Sequence, residues 1–200
     1  MLDFSKINNA EYLTKQIYFL DFSSTRNNMK NIMRKFEFLQ SYSFLNEKNY
    51  VNYLHNDRST YVDGLSLFAQ NDLEASKKDA LKFLKIERLR FVQYPLTKYL
   101  EHEFYIYKII NKNGRKTRFF DDKSLLIKNA KDFICFDDDL CYILDFSETD
   151  LLGALKVTDK SIIAEIIEWY DCVMEKSLPC SEYMDPDISI EASLKKDGWI

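Results

Sequence analysis

Arg88 and Arg90 stand two residues apart in the segment IERLRFVQY. In an extended chain, side chains at i and i+2 project from one face. Two guanidiniums so placed can clamp a phosphate or a carboxylate through charge-assisted hydrogen bonds. They can equally pair inward with acid groups, and Glu103, on the stretch that follows, is placed to supply one. Lys98 and His102 are four residues apart on what reads as the outer face of that stretch, with Tyr99 beside them. A second cluster is the run Asp137, Asp138, Asp139. Neighbouring carboxylates can hold a divalent cation, but calcium loops space their ligands at alternate positions and add a later Glu, which this run does not. Asp is a standard turn residue, and turn chemistry is the simpler reading. Arg115, Lys116 and Arg118 form a third group, in which exposed cations would suit phosphates.

The familiar catalytic patterns are missing. The sequence has no GxGxxG, Walker A, HExxH or GxSxG motif, and its two histidines, His55 and His102, are too few for most acid–base or metal schemes. No catalytic residue, metal site or cofactor is therefore assigned.

The elements that must carry these groups follow from periodicity. Ala10 to Phe22 and Met29 to Leu39 both show apolar residues at helical spacing, with Ser23, Ser24 and Thr25 between them as candidate N-caps. Asn46 to His55 reads as a third helix, ended by HNDRST, and Asp63-Gly64 as a turn. Leu73 to Leu84 suits an amphipathic helix burying Ala80, Leu81 and Leu84. Residues 86 to 92 then alternate as a strand, closed by Pro95, and Thr97 can cap a helix to about Ile110 that Asn113-Gly114 terminates. RKTRFF supplies a second strand. Phe133–Phe136 and Leu140–Phe146 flank the aspartates as a hairpin. Leu151 to Thr158 is a further strand, with Gly153 a candidate bulge, and Thr158 or Asp159 caps a last helix to about Lys176 that stops before Pro179.

These elements predict an α/β protein, with α+β as the alternative: a mixed sheet of about five strands flanked by helices. Residues 1–72 form an N-terminal helical segment packed on the body, 73–178 the α/β domain, and 179–200 an acidic tail containing Pro186 and Trp199. With 200 residues, 46% apolar and only four Gly and three Pro, the chain can bury a sizeable core. No stretch of 18 uncharged apolar residues is present and the opening residues do not read as a signal peptide, so no membrane association and a cytoplasmic location are expected. Cys135, Cys141, Cys172 and Cys180 contain no CxxC pair and are read on compartment logic as reduced thiols.

The net charge of −4 conceals a dipole. Residues 77–128 hold fourteen Lys/Arg against six Asp/Glu, whereas residues 129–200 hold six against seventeen. Such segments can serve separate partners or neutralise each other on folding.

The segments RLRFVQYPLTKYLEHEF, DFICFDDDLCYILDF and Leu152-Gly153-Ala154, with a last helix carrying Trp169, resemble a bacterial family catalogued as domain of unknown function 6879, over about residues 35–180. The matching positions are Arg88, Arg90, Pro95, Tyr99, Glu103, Asp132, Phe133, Phe136, Asp137 and Asp138. The family's Ser-Glu before the proline is Gln93-Tyr94 here, and its Gly-Glu-Asp after the helix has no counterpart in NKNGRKTRFF. The resemblance implies a regulatory or ligand-sensing role and carries no reaction. The element order is also similar to half of a phospholipase-D-like fold lacking its HxK motif.

The functional expectation is a non-enzymatic regulatory or interaction protein, with a protein partner and a small anionic ligand as its contacts. The alternative is a nucleic-acid or nucleotide-binding or processing protein using segment 77–128, with Tyr94, Tyr99 and Phe119 stacking on bases. Candidate ligand-binding residues are Arg88, Arg90, Tyr99, His102, Glu103, Arg115, Arg118, Asp137 and Asp138.

Overall fold

The computed structural model describes residues 2–7, 10–43 and 48–183, with Lys195 and Gly198. Pro186 and Trp199 of the expected acidic tail lie outside the described residues. Along the chain run β1 (Glu11–Thr14), α1 (Lys15–Asn28), β2 (Ile32–Glu37), α2 (Lys48–Leu54) and α3 (Arg58–Leu81). Then come β3 (Lys85–Phe91), α4 (Lys98–Lys112), β4 (Lys116–Phe120), β5 (Phe133–Phe136) and β6 (Leu140–Ser147). β7 (Asp150–Val157), α5 (Lys160–Lys176), β8 (Leu178–Pro179) and α6 (Cys180–Tyr183) complete the series.

One eight-stranded mixed sheet orders the strands β1-β7-β6-β5-β2-β3-β4-β8. Only the β2–β3 and β3–β4 pairings are parallel, joined through helices as parallel strands require; the other pairings are antiparallel. The fold is α/β as expected, with three more strands than the sequence suggested. Alternation puts Phe36, Leu89, Phe91, Phe133 and Cys135 on the face covered by α5, through Ile163, Ile166, Tyr170 and Val173. On the opposite face α1 packs on β5 to β7 through Tyr18 and Phe22, while α3 and α4 pack over Val92 and Phe119.

The caps read from the sequence form. Thr97 accepts the Leu100 N–H, Asp159 accepts those of Ser161 and Ile162, and Gly114 at φ +90° ends α4. Gly153 lies where β7 slips register against β6 between Asp145 and Phe146, and a Cβ there would meet the Leu13 carbonyl oxygen at 2.2 Å. Its bare backbone is what lets β1 lie alongside.

The N-terminal third departs from expectation. Residues 11–14 are a strand preceding the helix, and residues 32–37, expected as helix, form β2 in the middle of the sheet. Ile32, Met33 and Phe36 fit both periods over so short a window, and pairing with β3 and β5 decides between them. Ser23, Ser24 and Thr25 lie inside α1, and Asp63-Gly64 inside α3, where neighbouring propensity and packing override the turn signal. Leu81 and Ala80, expected to be buried, are exposed. Cys135 and Cys141 face each other across the hairpin and form a disulfide, in place of the free thiols expected, because strand register brings together two residues six apart. Cys172 is an exposed thiol and Cys180 is buried.

Candidate functional site

Arg88 and Arg90 point from β3 toward α4, and Lys35 and Glu37 point the same way from the paired positions of β2. A sheet face covered by a helix is dry, so four charges there must satisfy one another. Glu37, with its side chain 4% exposed, receives Lys35 Nζ at 2.7 Å, Arg88 Nε at 3.5 Å and the Tyr107 hydroxyl of α4 at 3.2 Å. Arg90 is fully buried. It donates to the Leu39 carbonyl and to the Tyr42 hydroxyl at 3.2 Å, and its guanidinium lies 5.6 Å from the centre of the Tyr42 ring. Tyr42 in turn donates to Asp132, whose other oxygen accepts the Phe38 and Leu39 N–H groups at 2.8 and 3.0 Å.

Burial by itself would raise the Glu37 pKa, but the charges of Arg88, Lys35 and Arg90 outweigh it and hold the carboxyl well below the usual range. Asp132 moves the other way: burial raises it more than the Tyr42 bond and Arg90 lower it. Tyr42 and Tyr107 are pushed well above ordinary phenols by burial and by the neighbouring carboxylates Asp132 and Glu37.

α4 carries the remaining members. Tyr99 is buried edge-on to Tyr42 and Tyr50, and Glu103 is buried where its charge acts on Arg88 and Tyr107. His102, expected on an outer face, is fully buried: its Nδ1 lies 3.0 Å from the Tyr61 hydroxyl, with the Tyr50, Tyr53 and Tyr61 rings around it. The reversal arises because α2 and α3 cover the side of α4 turned away from the sheet, leaving α4 buried nearly all round.

Arg88, Arg90, Tyr99 and Glu103 therefore come together between β3 and α4, His102 lies on the far side of α4 among Tyr50, Tyr53 and Tyr61, and the other candidates do not join them. Arg115 is held at the inner side of α3, with Nε 2.9 Å from Asp72 and Nη1 3.3 Å from Asp79, which also binds Arg26. Arg118 ties β4 to the end of α5 by donating to the Ser177 hydroxyl at 3.0 Å and to its carbonyl. Asp137, at φ +50°, turns the hairpin, and its carboxylate accepts the N–H groups of Lys30, Asn31 and Ile32. Asp138 pairs with Arg34 and Asp139 with Lys160. Among the described residues no group of three or more His, Cys, Asp or Glu is arranged to hold a metal ion.

Glu37, Tyr42 and Tyr107 escaped sequence reasoning, the first because its segment reads as helix. Asp132 carried a signal, as a position shared with the resembled family. The network's members alternate in charge and bond to one another, an arrangement that fixes a helix on a sheet.

The model of the family described as Domain of unknown function (DUF6879) matches residues 21–185. The chain belongs to this family. Its match includes the network from Lys35 to Asp132 and the covering helices α3, α4 and α5. No curated protein matches the chain. Among solved structures, that titled "Structure of TrmBL2, an archaeal chromatin protein, shows a novel mode of DNA binding" is similar at a TM-score of 0.48 and 8% identity. The similarity covers 90% of this chain and 56% of that one, and it is too distant to bear on function.

Proposed function

We propose that this member of the family is a non-enzymatic interaction protein that docks a protein partner presenting apolar groups among carboxylates. The observation that carries this reading is the corner between α3 and β3. Leu81 is 81% and Phe83 88% exposed, on a surface where residues of that size ordinarily turn inward. Lys77, Lys78, Lys82 and Lys85 surround them, all exposed and in no ion pair with a described residue. An apolar centre with a cationic rim suits an acidic counterpart, the rim steering encounter and the centre supplying contact area. Two further observations support the reading: Arg88, Arg90, Arg115 and Arg118, the cations expected to track phosphates, are bound inside the protein, and His102 is held by Tyr61 within the core. No helix among the described residues is long and apolar enough to cross a membrane.

The test is affinity capture from the native host with the wild-type chain and with Leu81→Glu/Phe83→Glu, followed by binding of the purified captured protein. The reading requires a partner with an acidic, apolar face whose affinity drops at least about tenfold in the double variant, in line with the usual size of an interface hot spot. A partner bound equally by both chains overturns it. So does nucleic-acid binding by the wild type whose affinity falls steeply with salt.

A further inference from the structure

Beyond β4, where the chain leaves the sheet, a cleft of about 490 Å³ opens at the C-terminal end of the parallel strands. Open α/β sheets take their ligands at that end, and the volume falls within the roughly 300–1,000 Å³ typical of small-molecule sites. It lies at the opposite end of the parallel strands from the Leu81/Phe83 corner, so the two features stand independently.

The cleft is lined by the end of β4 at Phe119 and Phe120, whose rings are buried on opposite faces of the sheet, and its accessible apolar lining is Leu125, Leu178 from β8 and Tyr183 from α6. Tyr183 is fixed there, its ring stacked on Phe119 at 5.1 Å between centroids and 22° between planes, its hydroxyl accepting from Tyr94 at 3.2 Å. Leu178 is 44% exposed, an apolar surface that a ligand would cover.

Three charged residues line the same cleft: Asp121, Asp122 and Lys176. Asp122 is partly committed, since it accepts the Ser124 N–H at 2.8 Å and starts the short turn that follows. Lys176 offsets one of the two carboxylates. Asp121 is exposed and has no hydrogen-bond or ion-pair partner among the described residues, which leaves one uncompensated negative charge in the cleft that Leu178 and Tyr183 line.

We propose that this cleft binds a small organic cation, an ammonium group carried on an aryl or alkyl body. The body lies against Leu178 beside Tyr183, removing the exposed apolar surface of Leu178 from water. The ammonium donates to the Asp121 carboxylate, and the Tyr183 ring adds attraction for the cation. An anion of the same shape meets the Asp121 charge instead and is disfavoured.

Calorimetric titration of the full chain with 2-phenylethylammonium and with 3-phenylpropionate, similar in ring and length but opposite in charge, tests this. The ammonium should bind saturably and the carboxylate at least about tenfold more weakly. Asp121→Asn, an exposed and isosteric change, should keep its melting temperature and lose about tenfold or more in ammonium affinity, the size of a charge-assisted contact. Lys176→Met should retain or tighten ammonium binding. Equal or tighter binding of the carboxylate overturns the charge assignment. An Asp121→Asn chain that binds the ammonium as wild type does removes the role of Asp121, and no saturable binding of either probe removes the site.

Discussion

Replacing Arg90 by alanine gives the sharpest measure of what the buried network does. The side chain is fully buried and donates to the Leu39 carbonyl and the Tyr42 hydroxyl, so its removal leaves two acceptors unmatched and a cavity under α4. It also strips the Asp132–Tyr42 pair of its neighbouring cation and takes one of three positive charges from around Glu37. Removing one partner of a buried ionic set costs about 3–5 kcal/mol. For a chain of this length each kcal/mol lowers Tm by about 2–4 °C, so a fall of roughly 6–20 °C is expected. Arg88 offers an internal comparison, because its side chain is 22% exposed and its Nε–Glu37 contact is 3.5 Å long. Arg88→Ala should cost about 1–3 kcal/mol, between the values for exposed and buried pairs. Urea unfolding with thermal melts measures both, and a double-mutant cycle with Glu37→Gln isolates the coupling. An Arg90→Ala chain within about 1 kcal/mol of wild type, the level of a surface pair, would refute the buried-network reasoning and return Arg90 to the candidates for ligand binding.

Other expectations follow from neighbouring features. Gly153→Ala sets a methyl group 2.2 Å from the Leu13 carbonyl oxygen and should cost about 1–3 kcal/mol by displacing β1, read as faster amide exchange at residues 11–14. Glu37 has a folded-state pKa below its ordinary value of 4.5, so its contribution is complete above that value and is lost as pH falls through and beyond it. Asp132, with a raised value, works in the opposite sense and offsets part of the loss. Urea midpoints should therefore decline below about pH 4.5, and Glu37→Gln should flatten that decline while lowering the midpoint at pH 7; an unchanged acid slope counts against the assignment. Asp137→Ala strands the N–H groups of Lys30, Asn31 and Ile32 and should cost about 1–3 kcal/mol, while millimolar Mg²⁺ or Ca²⁺ should leave the wild-type melt unmoved; cation-dependent stabilisation would reverse the turn reading.

Local chemistry made much of the chain legible in advance. The α4 and α5 caps, the β5–β6 hairpin with its aspartate turn, and the alternation of β3 each depend on residues within a few positions of one another. The same alternation put Arg88 and Arg90 on one face and made Glu103 a candidate neighbour. Whether those arginines faced water or a covering helix lay beyond local pattern. That depended on β2, a six-residue segment that fits a helical period equally well and becomes a central strand only when β3 and β5 hydrogen-bond to both its edges. With β2 came Lys35 and Glu37, which turn an apparent anion clamp into an internally paired set. His102 went the same way: its helix carries polar and apolar residues suited to a half-exposed surface, and the packing of α2 and α3, contributed from far along the chain, enclosed it. Residue types and local spacing set which groups could do chemistry. Long-range strand pairing and helix coverage decided which of them are already occupied, because burial requires every charge to find a partner wherever in the sequence that partner lies.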